Sequence, residues 1–144
     1  MFTPNQADVR RFFCGAFRKA AQHQPLEAIE ALAAQWMQEH PEYDTVFADE
    51  AAALASTGQA AEGPEENPFL HLSMHLSISE QCSIDQPPGI RQAVELLAAK
   101  RESLHQAHHL VMECLGRMLW ESQRSGRPPD AAAYIDHIRR LATQ

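Results

Sequence analysis

Apolar residues recur at helical spacing in the first third of the chain, in two stretches. The first stretch is rich in Phe, and the second starts near Pro25 and ends before Pro41. Their repeating positions are Val9, Phe12, Phe13, Ala16, Phe17 and Ala20, followed by Leu26, Ile29, Leu32, Ala33, Trp36 and Met37. This spacing predicts two amphipathic helices. A short third helix is expected from Pro41 with Val46 and Phe47, and residues 50–55 either extend it or form a separate turn.

Residues 56–66 interrupt the pattern and predict an exposed loop, because they are rich in Gly, Pro and small or acidic residues. The loop would divide one helical domain, residues 1–144, into halves 1–55 and 67–144. Helical periodicity and turn residues in the second half predict helices over 67–82, 90–101, 103–125 and from 130 onward. No segment alternates with period two. The expected fold class is therefore all-α, a compact bundle of five to six helices, the short third one aside, with no sheet.

Composition and charge narrow the function classes. With 144 residues, 44% of them hydrophobic and none in a long apolar run, the chain suits one cytoplasmic domain without a transmembrane helix or signal segment. A net charge of -7 without a cluster of Lys or Arg argues against nucleic-acid partners. The absence of a long apolar run argues against a membrane partner. Cys14, Cys82 and Cys114 are too scattered for a disulfide framework or a thiolate zinc knuckle. Common hydrolase, NTPase and dinucleotide-binding motifs do not occur.

Two histidine pairs carry the candidate chemistry. His71 and His75, and likewise His105 and His109, are spaced i, i+4, which stacks two imidazoles on one helix surface within reach of one metal ion. The first pair is expected to face inward, and the second lies along the edge of an apolar face in a row that leads to Glu113.

Residues beside the second pair allow two interpretations each. His108 lies nearer the centre of that apolar face and is either a core histidine or a substitute ligand. Trp120 and Gln123 follow the row along the helix, Trp120 as part of the core or as the wall of a pocket.

The two pairs can meet only if the chain breaks near Ser103. A helix over residues 90–101 that returns antiparallel would then bring both pairs to similar height, whereas one unbroken helix would separate them. The resulting prediction is a site for Zn or Fe at His71, His75, His105 and His109, with Glu113 as a ligand or an orienting group. The alternative is a set of structural histidines without a metal.

Several motifs make the chain similar to a known family. They are N-P-F-L-H-L-S-M-H over residues 67–75, D-Q-P-P-G over 85–89, H-x-x-x-H-x-x-M-E-C-L-G over 105–116 and W-E-S-Q-R over 120–124, together with E-H-P-E-Y over 39–43. The chain resembles the bacterial domain-of-unknown-function family numbered 1841 over essentially its whole length. That resemblance implies no activity, because the family has none assigned.

The leading hypothesis is therefore a small helical protein with a His-rich divalent metal site, and whether it is an enzyme stays open. The alternative is a non-enzymatic interaction module or homo-oligomer, in which the Phe12, Phe13 and Phe17 stripe or the last helix docks onto a partner or a second copy.

Overall fold

The described residues are helical almost throughout. The computed structural model describes residues 5–55 and 67–144. Within these ranges there are eight α-helices and one 3₁₀ turn, and there is no strand: α1 Gln6–Ala21, α2 Ala28–Gln38, the 3₁₀ turn Pro41–Tyr43, α3 Asp44–Phe47, α4 Glu50–Ala55, α5 Pro68–Ile84, α6 Ile90–Arg101, α7 Leu104–Ser125 and α8 Ala131–Thr143. The all-α prediction is confirmed. The predicted count of five to six helices is wrong, since α3 and α4 are separate short helices.

The chain divides into two compact units, Met1–Leu76 (unit 1) and Ser77–Gln144 (unit 2), with the boundary inside α5. The predicted exposed loop over residues 56–66 lies outside the described residues, and the single-domain organisation stays a prediction. In the described part of the chain, no helix combines the length and the apolar content that a membrane span requires.

Unit 1 is built around an aromatic core. Phe13, Phe47 and Phe69 are 1–4% exposed, and the ring centroids of Phe47 and Phe69 lie 5.4 Å apart at an interplanar angle of 83°. Such edge-to-face contacts add to the free energy gained by burying the rings. The Phe stripe of α1 is therefore used inside this unit, with Phe12 and Phe17 packed partly buried against the core.

The end of α2 shapes the chain that follows. A proline ring disfavours helical backbone at the preceding residue, so α2 stops at Gln38, as the sequence predicts. His40 adopts φ -132° and ψ 61°, and Pro41 then opens the 3₁₀ turn as its first residue. This abrupt change of direction fixes where the His40 side chain lies.

In unit 2, helices α6, α7 and α8 pack on one another. Their apolar faces supply the core residues Ile90, Ala93, Val94, Leu97, Ala107, Val111, Met112, Leu115, Tyr134, Ile135 and Ile138. The buried Tyr134 hydroxyl donates to Oε1 of Gln81 at 2.7 Å, which satisfies its polar group.

The preceding α5–α6 turn is held by Asp85, whose carboxylate accepts from the backbone N–H of Gly89 and of Arg91. Asp85 is thus a turn residue.

The predicted break near Ser103 is confirmed. Helix α6 ends at Arg101, and Glu102 at φ 57° occupies the left-handed position that terminates many helices. The backbone N–H of Ser103 then donates to the carbonyl of Ala98. The Ser103 side chain caps α7 by accepting from the backbone N–H of Gln106 at 3.1 Å.

The left-handed conformation of Glu102 generates a stability prediction. A Cβ atom is disfavoured at φ 57°, so Glu102→Gly should raise the free energy of unfolding by about 0.5–1 kcal/mol. Glu102→Ala keeps the Cβ atom and is the matched control, because it removes the same exposed carboxylate without relieving the backbone. Urea unfolding of both variants measures the difference, and equal midpoints for Gly and Ala would contradict this account of the break.

Candidate metal centre

Three imidazoles of unit 1 meet at their Nε2 atoms. The Nε2 atom of His40 lies 3.0 Å from that of His71 and 3.2 Å from that of His75, and the last two lie 3.1 Å apart. All three side chains are buried, with His75 at 0% exposure. The predicted inward orientation of His71 and His75 is confirmed, and His40 joins them from a different part of the chain.

The first two turns of α5 position two of the three rings. The Asn67 side chain caps this helix by accepting from the backbone N–H of Phe69 and of Leu70, and Pro68 occupies the first helical position. His71 and His75 follow at i, i+4 spacing, so their rings lie one turn apart with centroids separated by 4.8 Å.

Aromatic stacking restrains the imidazole rings of His40 and His75. Trp36 from α2 stacks on His75 with ring centroids 4.0 Å apart at 14°, and Tyr43 stacks on His40 at 5.0 Å and 11°. Burial, reinforced by the charge of Glu42, raises the pKa of the Tyr43 hydroxyl. The stacking limits rotation of the two imidazoles and so preserves the positions of their nitrogen atoms.

Mutual hydrogen bonds cannot account for all three nitrogen contacts. A neutral imidazole offers at each ring nitrogen either one proton or one lone pair. Among three Nε2 atoms, at least one of the three contacts therefore joins two protons or two lone pairs, and that contact is repulsive. A cation that accepts all three lone pairs would make every interaction favourable.

The triangle has the dimensions of a metal site. An ion at the usual zinc–imidazole distance of about 2.0–2.1 Å from each nitrogen would lie about 1 Å out of the plane of these three atoms. The angles at the ion would fall between octahedral and tetrahedral values. Three ligands on one side of an ion leave its remaining coordination positions to other groups.

Cysteine does not compete for this role. Cys14 and Cys114 are buried and Cys82 is half-buried, and all three are free. Burial raises the pKa of each thiol, which disfavours the thiolate that binds metals. The chemistry of the centre is therefore that of imidazole nitrogen.

The second predicted pair lies on α7 in unit 2. The rings of His105 and His109 stand 4.4 Å apart at 66°, both half-buried, and Glu113 is exposed one turn further along. His108 is 2% exposed and is a core histidine. That His105, His109 and Glu113 share a metal with His71 and His75 stays a prediction.

Sequence analysis did not anticipate one residue of the nitrogen triangle, and its core interpretation of Trp120 is wrong. His40 was not among the predicted ligands, although the His-Pro-Glu-Tyr run at a helix end, with a carboxylate two residues from the imidazole, was a readable signal. Trp120 does not belong to the core. Its side chain is 58% exposed, and the Arg124 guanidinium lies 4.8 Å from the ring centroid.

Comparison with known proteins agrees with the motifs that carry this centre. Residues 5–140 match the model of the family described as Domain of unknown function (DUF1841). The chain belongs to the DUF1841 family. The match includes all three residues of the histidine triangle as well as the α7 pair. No curated protein and no solved structure matches the chain. Membership in DUF1841 therefore assigns no activity.

The buried His108 generates a prediction of pH dependence. Burial, with the nearby His105 and His109, lowers its pKa to about 4, against 6.5 for an exposed histidine. Between these pH values the unfolded chain binds a proton that the folded chain does not, so acid destabilises the fold. This loss of unfolding free energy reaches about 3 kcal/mol and levels off below the folded-state pKa.

The measurement is urea unfolding of the metal-free protein between pH 7.5 and about 4. In His108→Gln the loss of stability on acidification should be smaller than in the wild type, because one of the titrating groups is gone. Parallel curves for the two proteins would show that His108 titrates normally in the folded state.

Proposed function

We propose that this protein binds a divalent first-row transition metal ion through the Nε2 atoms of His40, His71 and His75. The observation that carries the proposal is the mutual separation of 3.0–3.2 Å between these atoms. A cation can accept a lone pair from each of them, whereas three neutral rings cannot all form hydrogen bonds with one another at these atoms. The ion would link α5 to the turn after α2 and so stabilise unit 1. The proposal assigns metal binding and no reaction.

Ligand chemistry narrows the choice of ion. Imidazole nitrogen suits Zn, Fe, Cu and Ni, whereas Mg and Ca prefer oxygen ligands. We propose Zn or Fe as the resident metal. The sequence-based assignment of His105, His109 and Glu113 as additional ligands forms a second, separable part of the proposal.

The interaction-module alternative has less in its favour. It named two docking surfaces, the Phe stripe of α1 and the last helix. Of these, the stripe is used inside unit 1, because Phe13 is 1% exposed and the rings beside it pack against the core. Docking of the last helix onto a partner or a second copy stays a prediction.

Metal titration of the tag-free apo protein tests the proposal. Zn²⁺ at a hundredfold excess over Kd should raise the free energy of unfolding by about 2.7 kcal/mol and the melting temperature by several degrees. Replacing His40, His71 or His75 by Gln, which keeps a polar side chain of similar size, should each remove most of the shift. Co²⁺ provides a parallel readout, because its visible absorption reports bound nitrogen ligands.

His23→Asn is the matched control. His23 is exposed at φ 56°, a conformation that Asn tolerates, so the variant loses one imidazole without straining the backbone. It should bind metal like the wild type. The proposal would be refuted if the melting temperature of the wild type did not change with metal. It would also be refuted if each of the three Gln variants kept the full shift.

The second part of the proposal has its own test. If His105 and His109 are ligands, the double variant His105→Gln/His109→Gln should bind Co²⁺ more weakly and with a changed visible spectrum, because coordination number and geometry set that spectrum. An unchanged spectrum and affinity would remove the α7 pair from the site and leave the histidine triangle as the proposed ligand set.

A further inference from the structure

We propose that Glu42 is the positioning residue of this metal site, holding His40 with its proton on Nδ1 and its Nε2 lone pair directed at the ion. The inference rests on the proposed metal-binding function. It concerns a different atom of the ring, since Oε2 of Glu42 lies 3.0 Å from Nδ1 of His40, on the edge away from the nitrogen triangle.

The local sequence places the carboxylate there. Pro41 starts the 3₁₀ turn, and the backbone N–H of Tyr43 donates to the carbonyl of His40 at 3.0 Å, which closes the turn around the intervening Glu42. The Tyr43 ring meanwhile stacks on the imidazole. His40 is thus held by a carboxylate at its edge and by an aromatic ring at its face.

The proton on His40 decides whether the ring can bind metal. A carboxylate only accepts, so its contact with Nδ1 requires the imidazole proton on that atom and leaves Nε2 as a lone pair. With the opposite tautomer, an N–H would point into the nitrogen triangle. The Glu42 contact therefore selects the ligating tautomer before the metal arrives.

The negative charge of the Glu42 carboxylate also partly compensates the positive charge of the ion. The His40 side chain is 5% exposed and that of Glu42 is 58% exposed, so the bond joins a buried ligand to an anion at the surface. Three neutral imidazoles leave a divalent charge uncompensated in a buried place, which is costly. A carboxylate that accepts a hydrogen bond from a ligating histidine makes the other ring nitrogen a stronger electron-pair donor to the metal. Loss of such a carboxylate typically lowers metal affinity about 10- to 100-fold.

Two substitutions separate orientation from charge. Glu42→Ala removes both, and it should lower Co²⁺ affinity about 10- to 100-fold and release His40 to a mixture of tautomers. Glu42→Gln keeps an oxygen that accepts from Nδ1–H, so it should retain the tautomer and lose less affinity. Nitrogen-15 NMR of the apo protein reads the His40 tautomer, and competition with a chromophoric chelator reads the affinity.

The matched control is Glu121→Ala. Glu121 is a carboxylate of similar exposure, 47%, that pairs with Arg117 on α7, so its loss changes the net charge equally without touching His40. Its affinity and His40 tautomer should equal those of the wild type. A merely structural role for Glu42 would lower the apo melting temperature without changing the tautomer.

The outcomes distinguish this inference from the function on which it rests. A Glu42→Ala protein that keeps the Nδ1–H tautomer and binds Co²⁺ as tightly as the wild type would overturn the role of Glu42 and leave the metal site standing. A wild-type protein that binds no Co²⁺ would overturn the proposed function itself, and this inference with it.

Discussion

Three imidazole nitrogens held 3.0–3.2 Å apart place a demand on the surrounding structure, because such atoms do not remain together unaided. Each neutral ring offers one proton or one lone pair at this nitrogen, so in the absence of a cation at least one contact of the triangle is repulsive. The fold must supply the energy that keeps the rings in place, and a bound ion would turn the same geometry into a source of stability. Metal binding and the stability of unit 1 are therefore coupled in this account.

The neighbouring residues show how the rings are kept in place. The capped N-terminal end of α5 aligns His71 and His75, and the proline turn after α2 brings His40 to them. Trp36 restrains the ring of His75 by stacking at 4.0 Å. These supports are rigid elements rather than long loops, so the nitrogen atoms are positioned before any ligand binds.

Sequence reasoning reached the parts of this arrangement that depend on local periodicity and missed those that depend on distant contacts. Helical spacing predicted the inward pair on α5, and capping residues supported the break at Ser103. His40 lies 31 residues from His71 and has no histidine at helical spacing, so periodicity does not connect it with the α5 pair. Helices α3 and α4, of four and six residues, are too short for periodicity to separate them. Trp120 continues the amphipathic pattern of α7 past Leu115, the last buried residue of that helix, so the pattern did not reveal that its side chain is exposed.

The most direct measurement of the central claim is X-ray absorption spectroscopy at the metal edge of tag-free protein loaded with one equivalent of Zn²⁺. We expect at least three imidazole nitrogen ligands at about 2.0–2.1 Å, with the outer-shell scattering that imidazole rings produce. The same spectrum recorded on the His40→Gln variant should show fewer imidazole ligands. A first shell made only of oxygen or sulfur atoms in the wild type would contradict the account.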